Sequence, residues 1–156
     1  MKKVLLVVLL SLFMSSCSDD VVFNNPSVQG LKNNVFWRAL QSKATLAKDG
    51  TIVVEAVTLK ETLMLHLSST QVNTYVLDNN ASDYVSFTSR ETTPVTALTT
   101  QNGKGTGKIT ITEYDALKKT ISGTFTFVIP YATKNPQESK EFYFSQGVFY
   151  KVPVSP

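Results

Sequence analysis

The sequence predicts an all-β protein, a single antiparallel β-sandwich or barrel of about 8–10 short strands. Three observations carry this expectation. From Lys32 onward apolar and polar residues alternate with a period of two, as along a strand buried on one face. The same stretch is dense in Val, Ile, Thr, Phe and Tyr, whose branched and aromatic side chains suit a pleated surface. Turn-forming clusters separate the runs: "KDG" at 48–50, "DNN" at 78–80, "QNGKGTG" at 101–107 and "TKNP" at 133–136.

Taken in order, the strands fall near 35–41, 51–58, 62–68, 73–77, 83–88, 95–99, 107–114, 120–129, 140–145 and 148–152. Segment 59–69, "LKETLMLHLSS", is the ambiguous one. Leu63, Leu65 and Leu67 alternate as in a strand, although Lys, Glu, Leu and Met also favour helices, and we read it as strand. The clearest local signal is "GKITITEYDALKKTISGTFTF", residues 107–127. Ile109 and Ile111 alternate with Thr110 and Thr112, and Ile121, Gly123, Phe125 and Phe127 with Ser122, Thr124 and Thr126. Two strands with one apolar and one hydroxyl face make a hairpin, for which we expect Tyr114 opposite Thr120, Ile111 opposite Gly123 and Ile109 opposite Phe125. The last run, "EFYFSQGVFYKV" (141–152), holds more aromatics than one face can hide. With Phe142 and Phe144 inward, Tyr143 points outward, and Gly147 marks a turn or a bulge that resets the phase of Phe149 and Tyr150. Tyr143 and Tyr150 are the candidate contact residues, because an outward tyrosine offers an apolar ring with a polar tip.

Ahead of these strands the chain reads Met1-Lys2-Lys3, then the apolar run Val4–Met14, then Ser15-Ser16 before the single cysteine, Cys17. A basic end, a short apolar middle and small residues at a cut site describe a signal peptide, residues 1–16. Eleven helical residues reach roughly 16 Å, half of the roughly 30 Å hydrocarbon core, so the run is too short for a permanent span. Residues 17–31 are polar and interrupted by Pro26 and Gly30, which predicts a flexible tether, with the folded domain at 32–156. Of the 15 basic residues Lys2 and Lys3 belong to the signal, so residues 17–156 carry 13 against 12 acidic ones. That balance, with only Arg38 and Arg90 as arginines, argues against a nucleic-acid partner.

Met14-Ser15-Ser16-Cys17 resembles the lipobox of bacterial lipoproteins, with Met in place of the usual Leu. The resemblance implies that Cys17 is acylated and becomes the mature N-terminus, anchoring the domain to the outer membrane. Two or three acyl chains hold a protein durably where one binds only marginally. Ser18-Asp19-Asp20 resembles the surface-export signal of Bacteroidota lipoproteins, which implies exposure at the cell surface. Across the domain, Val35-Phe36-Trp37-Arg38-Ala39, Thr74-Tyr75-Val76-Leu77, the strands 107–112 and 121–127, and Gly147-Val148-Phe149 are similar to an uncharacterised family of Bacteroidota lipoproteins with a domain of unknown function. That likeness brings a compartment and an all-β fold, and no activity or binding residue.

No catalytic constellation accompanies the fold. His66, the only histidine, sits in "LMLHLS" on the face opposite Leu63, Leu65 and Leu67, and no cysteine can join it in a zinc site. "GKGTGK" (103–108) runs into a strand, whereas a phosphate loop opens a helix, so it reads as a hairpin loop. We therefore expect no enzyme, no metal and no cofactor. The expected function is a lipid-anchored envelope protein, a surface-exposed or periplasm-facing binding module for a glycan or an envelope protein, without catalytic activity. The alternative is a lipocalin-like carrier of a small apolar ligand, although inward Ile109, Ile111, Phe125 and Phe127 fill an interior rather than hollow it.

Overall fold

A computed structural model describes residues 26–78, 82–91, 95–132 and 139–156. Eleven strands make up nearly all of it: β1 Ser27–Lys32, β2 Val35–Arg38, β3 Gln41–Leu46, β4 Ile52–Val57, β5 Glu61–Leu67, β6 Thr74–Val76, β7 Tyr84–Ser89, β8 Thr96–Thr99, β9 Thr106–Asp115, β10 Thr120–Ala132 and β11 Ser139–Ser155. They join in one sheet, ordered β6-β9-β10-β11-β3-β4-β5-β7-β8 with β1 and β2 attached beside β11, and the sheet curls into a half-barrel. The fold is all-β as expected. It differs from the expectation in having eleven strands in one curled sheet rather than about 8–10 in a sandwich or closed barrel, and in one pairing: β3 runs parallel to β11, Ala44 opposite Val154, while every other pair is antiparallel.

The core lies on the concave side. From one half come Ile52, Val54, Leu63, Leu65, Leu67, Val85 and Phe87; from the other come Ile109, Ile111, Ile121, Phe125, Phe127, Phe142, Phe144 and Phe149. Phe87 meets Phe142 with ring centroids 4.5 Å apart and Phe144 at 6.3 Å, so aromatic contacts tie the two halves together, while Trp37 stands edge-on to Phe144 at 5.3 Å within one half.

β11 shows how sequence and packing combine. Phe142 and Phe144 face inward, then Gln146 takes a left-handed conformation (φ 51°) and inserts one residue, so that Gly147 and Phe149 are the next inward positions. Lys151 (φ 45°) inserts another, and Val152 and Val154 follow inward. Two bulges thus switch the inward set from even to odd and back. Gly147 sits within the first, as expected, and the two short strands of the sequence reading are one long strand.

Three boundaries are corrected. Residues 27–31, assigned from sequence to the tether, form most of β1, so the folded domain starts before Lys32. Val28 is fully buried, and Gly30 is no break: a Cβ there would meet the Gly147 Cα at 3.0 Å, so the glycine permits close strand approach. The run 35–41 is two elements, because the chain turns at Ala39-Leu40 and returns as β3, which buries only Ala44 fully and so gives little alternation to read. The segment 101–107 carries the chain from β8 to the distant β9 through a short 3-10 turn, Gln101–Gly103, and is no hairpin loop.

The β9–β10 hairpin keeps Ile111 opposite Gly123 and Ile109 opposite Phe125. Nearer the turn the register shifts by one residue at Thr112, so Thr120 faces Asp115 and Ile121 faces Tyr114. The expected pairing of Tyr114 with Thr120 is replaced accordingly.

Candidate functional site

Tyr143 and Tyr150, the contact residues expected from the sequence, lie on β11, whose outward side belongs to a convex face formed by β1, β2, β6, β9, β10 and β11. One cross-strand row runs Arg38, Gln29, Val148, Thr124, Thr110 and Thr74 through six adjacent strands. At about 4.8 Å per strand it spans roughly 24 Å. The Thr74 and Thr110 hydroxyls lie 2.9 Å apart in a hydrogen bond, which shows that neighbouring side chains in the row stand on one side of the sheet. Beside the row, Phe36 faces Leu31 across β1–β2 and is 65% exposed, and Val76 faces Lys108 across β6–β9.

The bulge at Gln146 shapes this face. A depression of about 300 Å³ lies at the bulge, between Lys108, Thr124, Thr126 and Val148. A smaller one of about 110 Å³ lies across Gln146, against Gln29, Leu31 and Phe36. A larger open groove, about 430 Å³, lies elsewhere, at the β2–β3 corner around Pro26, Leu40 and Val57 with the Lys43–Glu55 ion pair (3.2 Å) at its side.

Tyr143 and Tyr150 both point to the convex face, yet they do not form one site. Tyr143 is half-buried, its N–H donating to Asn33 Oδ1 (3.0 Å) and its carbonyl accepting from Asn33 N–H (2.9 Å). Tyr150, 40% exposed, pairs with Ser27, and the Lys151 ammonium lies 5.3 Å from its ring centroid. About 20 Å of strand separates the two tyrosines. Cys17, Ser18, Asp19 and Asp20 lie outside the described residues.

His66 pairs across strands with Tyr84, their rings stacked at 4.0 Å and 11°, and its Nε2 is 3.4 Å from Ser86 Oγ. Burial without a compensating charge lowers its pKa from the ordinary 6.5, so the ring is neutral near pH 7. Among the described residues no three His, Cys, Asp or Glu side chains converge to hold a metal ion.

One polar cluster escaped the sequence reading. Glu61, 7% exposed, points inward in phase with Leu63, Leu65 and Leu67. Its Oε2 accepts from Trp37 Nε1 (2.6 Å) and its Oε1 pairs with the Lys32 ammonium, which also lies 5.7 Å from the Phe87 ring centroid. The phase itself was the available signal: a carboxylate in step with core leucines needs a buried partner.

The fold and these surfaces define a small all-β domain with an exposed polar and apolar face. The chain belongs to the family described as a domain of unknown function (DUF6252), whose model matches residues 24–153. No curated protein and no solved structure gives a significant match.

Proposed function

We propose that the protein is a lipoprotein of the cell envelope, anchored in the outer membrane through acylated Cys17 and directed to the cell surface by Ser18-Asp19-Asp20. Its β-domain is a non-catalytic binding module for a glycan or an envelope protein. The observation that carries the binding role is the row from Arg38 to Thr74, with the depression beside Gln146. Threonine hydroxyls, the Gln29 amide, Lys108 and the exposed Phe36 ring together offer the donors, acceptors and apolar surface that a polyhydroxylated or peptide ligand requires. The carrier alternative has less support. On the concave side Phe125, Phe127, Phe142 and Phe144 pack with centroids 5.3 to 6.3 Å apart, and the described depressions lie on the outside.

The test is binding of the purified acylated protein to envelope polysaccharides and to isolated envelope proteins, wild type against Val148→Arg. Val148 is exposed, so the variant should melt as the wild type does and lose the ligand. Equal binding by both, or a co-purifying apolar small molecule, would remove the outer face from consideration. For the anchor, Cys17→Ala should leave the precursor uncleaved and shift the domain out of the detergent phase, and Asp19→Ala with Asp20→Ala should reduce protease access on intact cells without changing acylation.

A further inference from the structure

We propose that the end of the half-barrel at which the N-terminus emerges rests on the anionic headgroups of the bilayer that holds the anchor, and so orients the domain. This builds on the lipoprotein reading above. Pro26, the first described residue, lies nine residues beyond Cys17, so even a fully extended connection reaches only roughly 31 Å. Ser27 pairs with Tyr150 and β1 runs antiparallel to β11, so the chain before Ser27 heads toward the Val154 end of β11.

The β9–β10 turn, residues 116–119, projects at that same end, where Val154 N–H donates to the Lys119 carbonyl (2.9 Å). Leu117 at its tip is 97% exposed and is followed by Lys118 and Lys119. Tyr150 and Lys151 stand nearby on β11. The same hairpin carries two carboxylates, Asp115, 3.5 Å from the Lys118 ammonium, and the exposed Glu113 opposite Ser122. The turn itself has no use for Leu117. It is closed by Asp115 Oδ1, which accepts from the N–H groups of Leu117 (3.0 Å) and Lys118 (2.9 Å).

A leucine at a turn tip beside lysines can enter the headgroup boundary while the ammonium groups stay among the phosphates. One leucine is a weak ligand for a free protein. For a tethered one the effective concentration is on the order of millimolar, and a weak contact is enough to bias orientation. The Asn33-Asn34 turn and Lys104, at the Tyr143 end of the same strands, then point away from the membrane.

The acylated full chain is reconstituted into phosphatidylcholine–phosphatidylglycerol vesicles with a polarity-sensitive fluorophore on Ala116→Cys, or on Lys104→Cys at the far end. Flotation with the vesicles is scored first. The label at position 116 should show blue-shifted emission and lose quenching by aqueous iodide, and the label at 104 should show neither. Adding Leu117→Asp, or replacing phosphatidylglycerol by phosphatidylcholine, should restore the quenching. Equal quenching at 116 and 104 in floated protein would overturn the orientation and leave the anchor standing. Failure to float would overturn both, through the anchor.

Discussion

At the scale of single residues, Gly123 separates a packing constraint from mere strand propensity. A Cβ placed there would overlap the Thr110 carbonyl oxygen and the Phe149 ring, both fixed by the sheet. Gly123→Val should therefore destabilise the domain by about 1–3 kcal/mol through overpacking, whereas Thr124→Val on the open face should change little. Denaturant midpoints of the two variants decide it, and reversed magnitudes would mean that the faces are assigned the wrong way round. His66 makes a second residue-scale prediction. Its folded pKa lies below the unfolded value of about 6.5, so between those two values the unfolded chain binds more protons. Stability is therefore fully present above pH about 6.5 and falls as pH drops toward the folded pKa. His66→Gln should flatten that part of the pH–stability curve, and an unchanged slope would assign the acid sensitivity to other groups.

At the scale of elements, β11 marks the limit of reading by alternation. The period-two rule identified Phe142 and Phe144 as inward, and Gly147 as a place where the phase resets. It could not find the second reset, because Lys151 carries no glycine and its left-handed backbone leaves no trace in residue type. The hairpin register failed for the same reason: the bulge at Thr112 interrupts a run of ordinary strand residues. β1 and β3 were missed for another reason. β1 is punctuated by Pro26 and Gly30, residues that break isolated strands but here begin a strand and allow a close approach. β3 is pinned between β11 and β4 by its neighbours rather than by its own pattern. The tyrosines could be placed on a face from sequence, but their separation along β11 and the depression made by the bulge could not. The bulge at Gln146 is itself testable. A β-branched side chain is poorly tolerated at φ near 51°, so Gln146→Val should cost about 1–3 kcal/mol, while Gln146→Gly should keep or raise the melting temperature. Equal losses in both variants would point to the glutamine side chain instead of the backbone.

At the scale of the whole molecule, β11 is the spine: β10 lies along one side of it, and β1 and then β3 occupy the other. β2 is a lightly secured element, a four-residue strand paired only with β1. What holds it inward is Trp37, through its edge contact with Phe144 and its hydrogen bond to Glu61, which in turn pairs with Lys32 on β1. The β1–β2 hairpin is thereby fastened to β5, from the other half of the sheet. Trp37 is the only tryptophan, so its emission reports on this junction alone. Glu61→Ala removes the acceptor and leaves the indole N–H and the partly exposed ammonium to find water, at a cost of about 2–3 kcal/mol. Because that loss falls on an edge strand rather than on the aromatic core, Trp37 emission should shift to the red at a lower denaturant concentration than the far-ultraviolet circular dichroism signal. In the wild type the two transitions should coincide. Glu61→Gln retains an acceptor for Trp37 and should fall between them. Coincident transitions in Glu61→Ala would show that β2 unfolds only with the whole sheet, and that the carboxylate adds stability without fastening the hairpin separately.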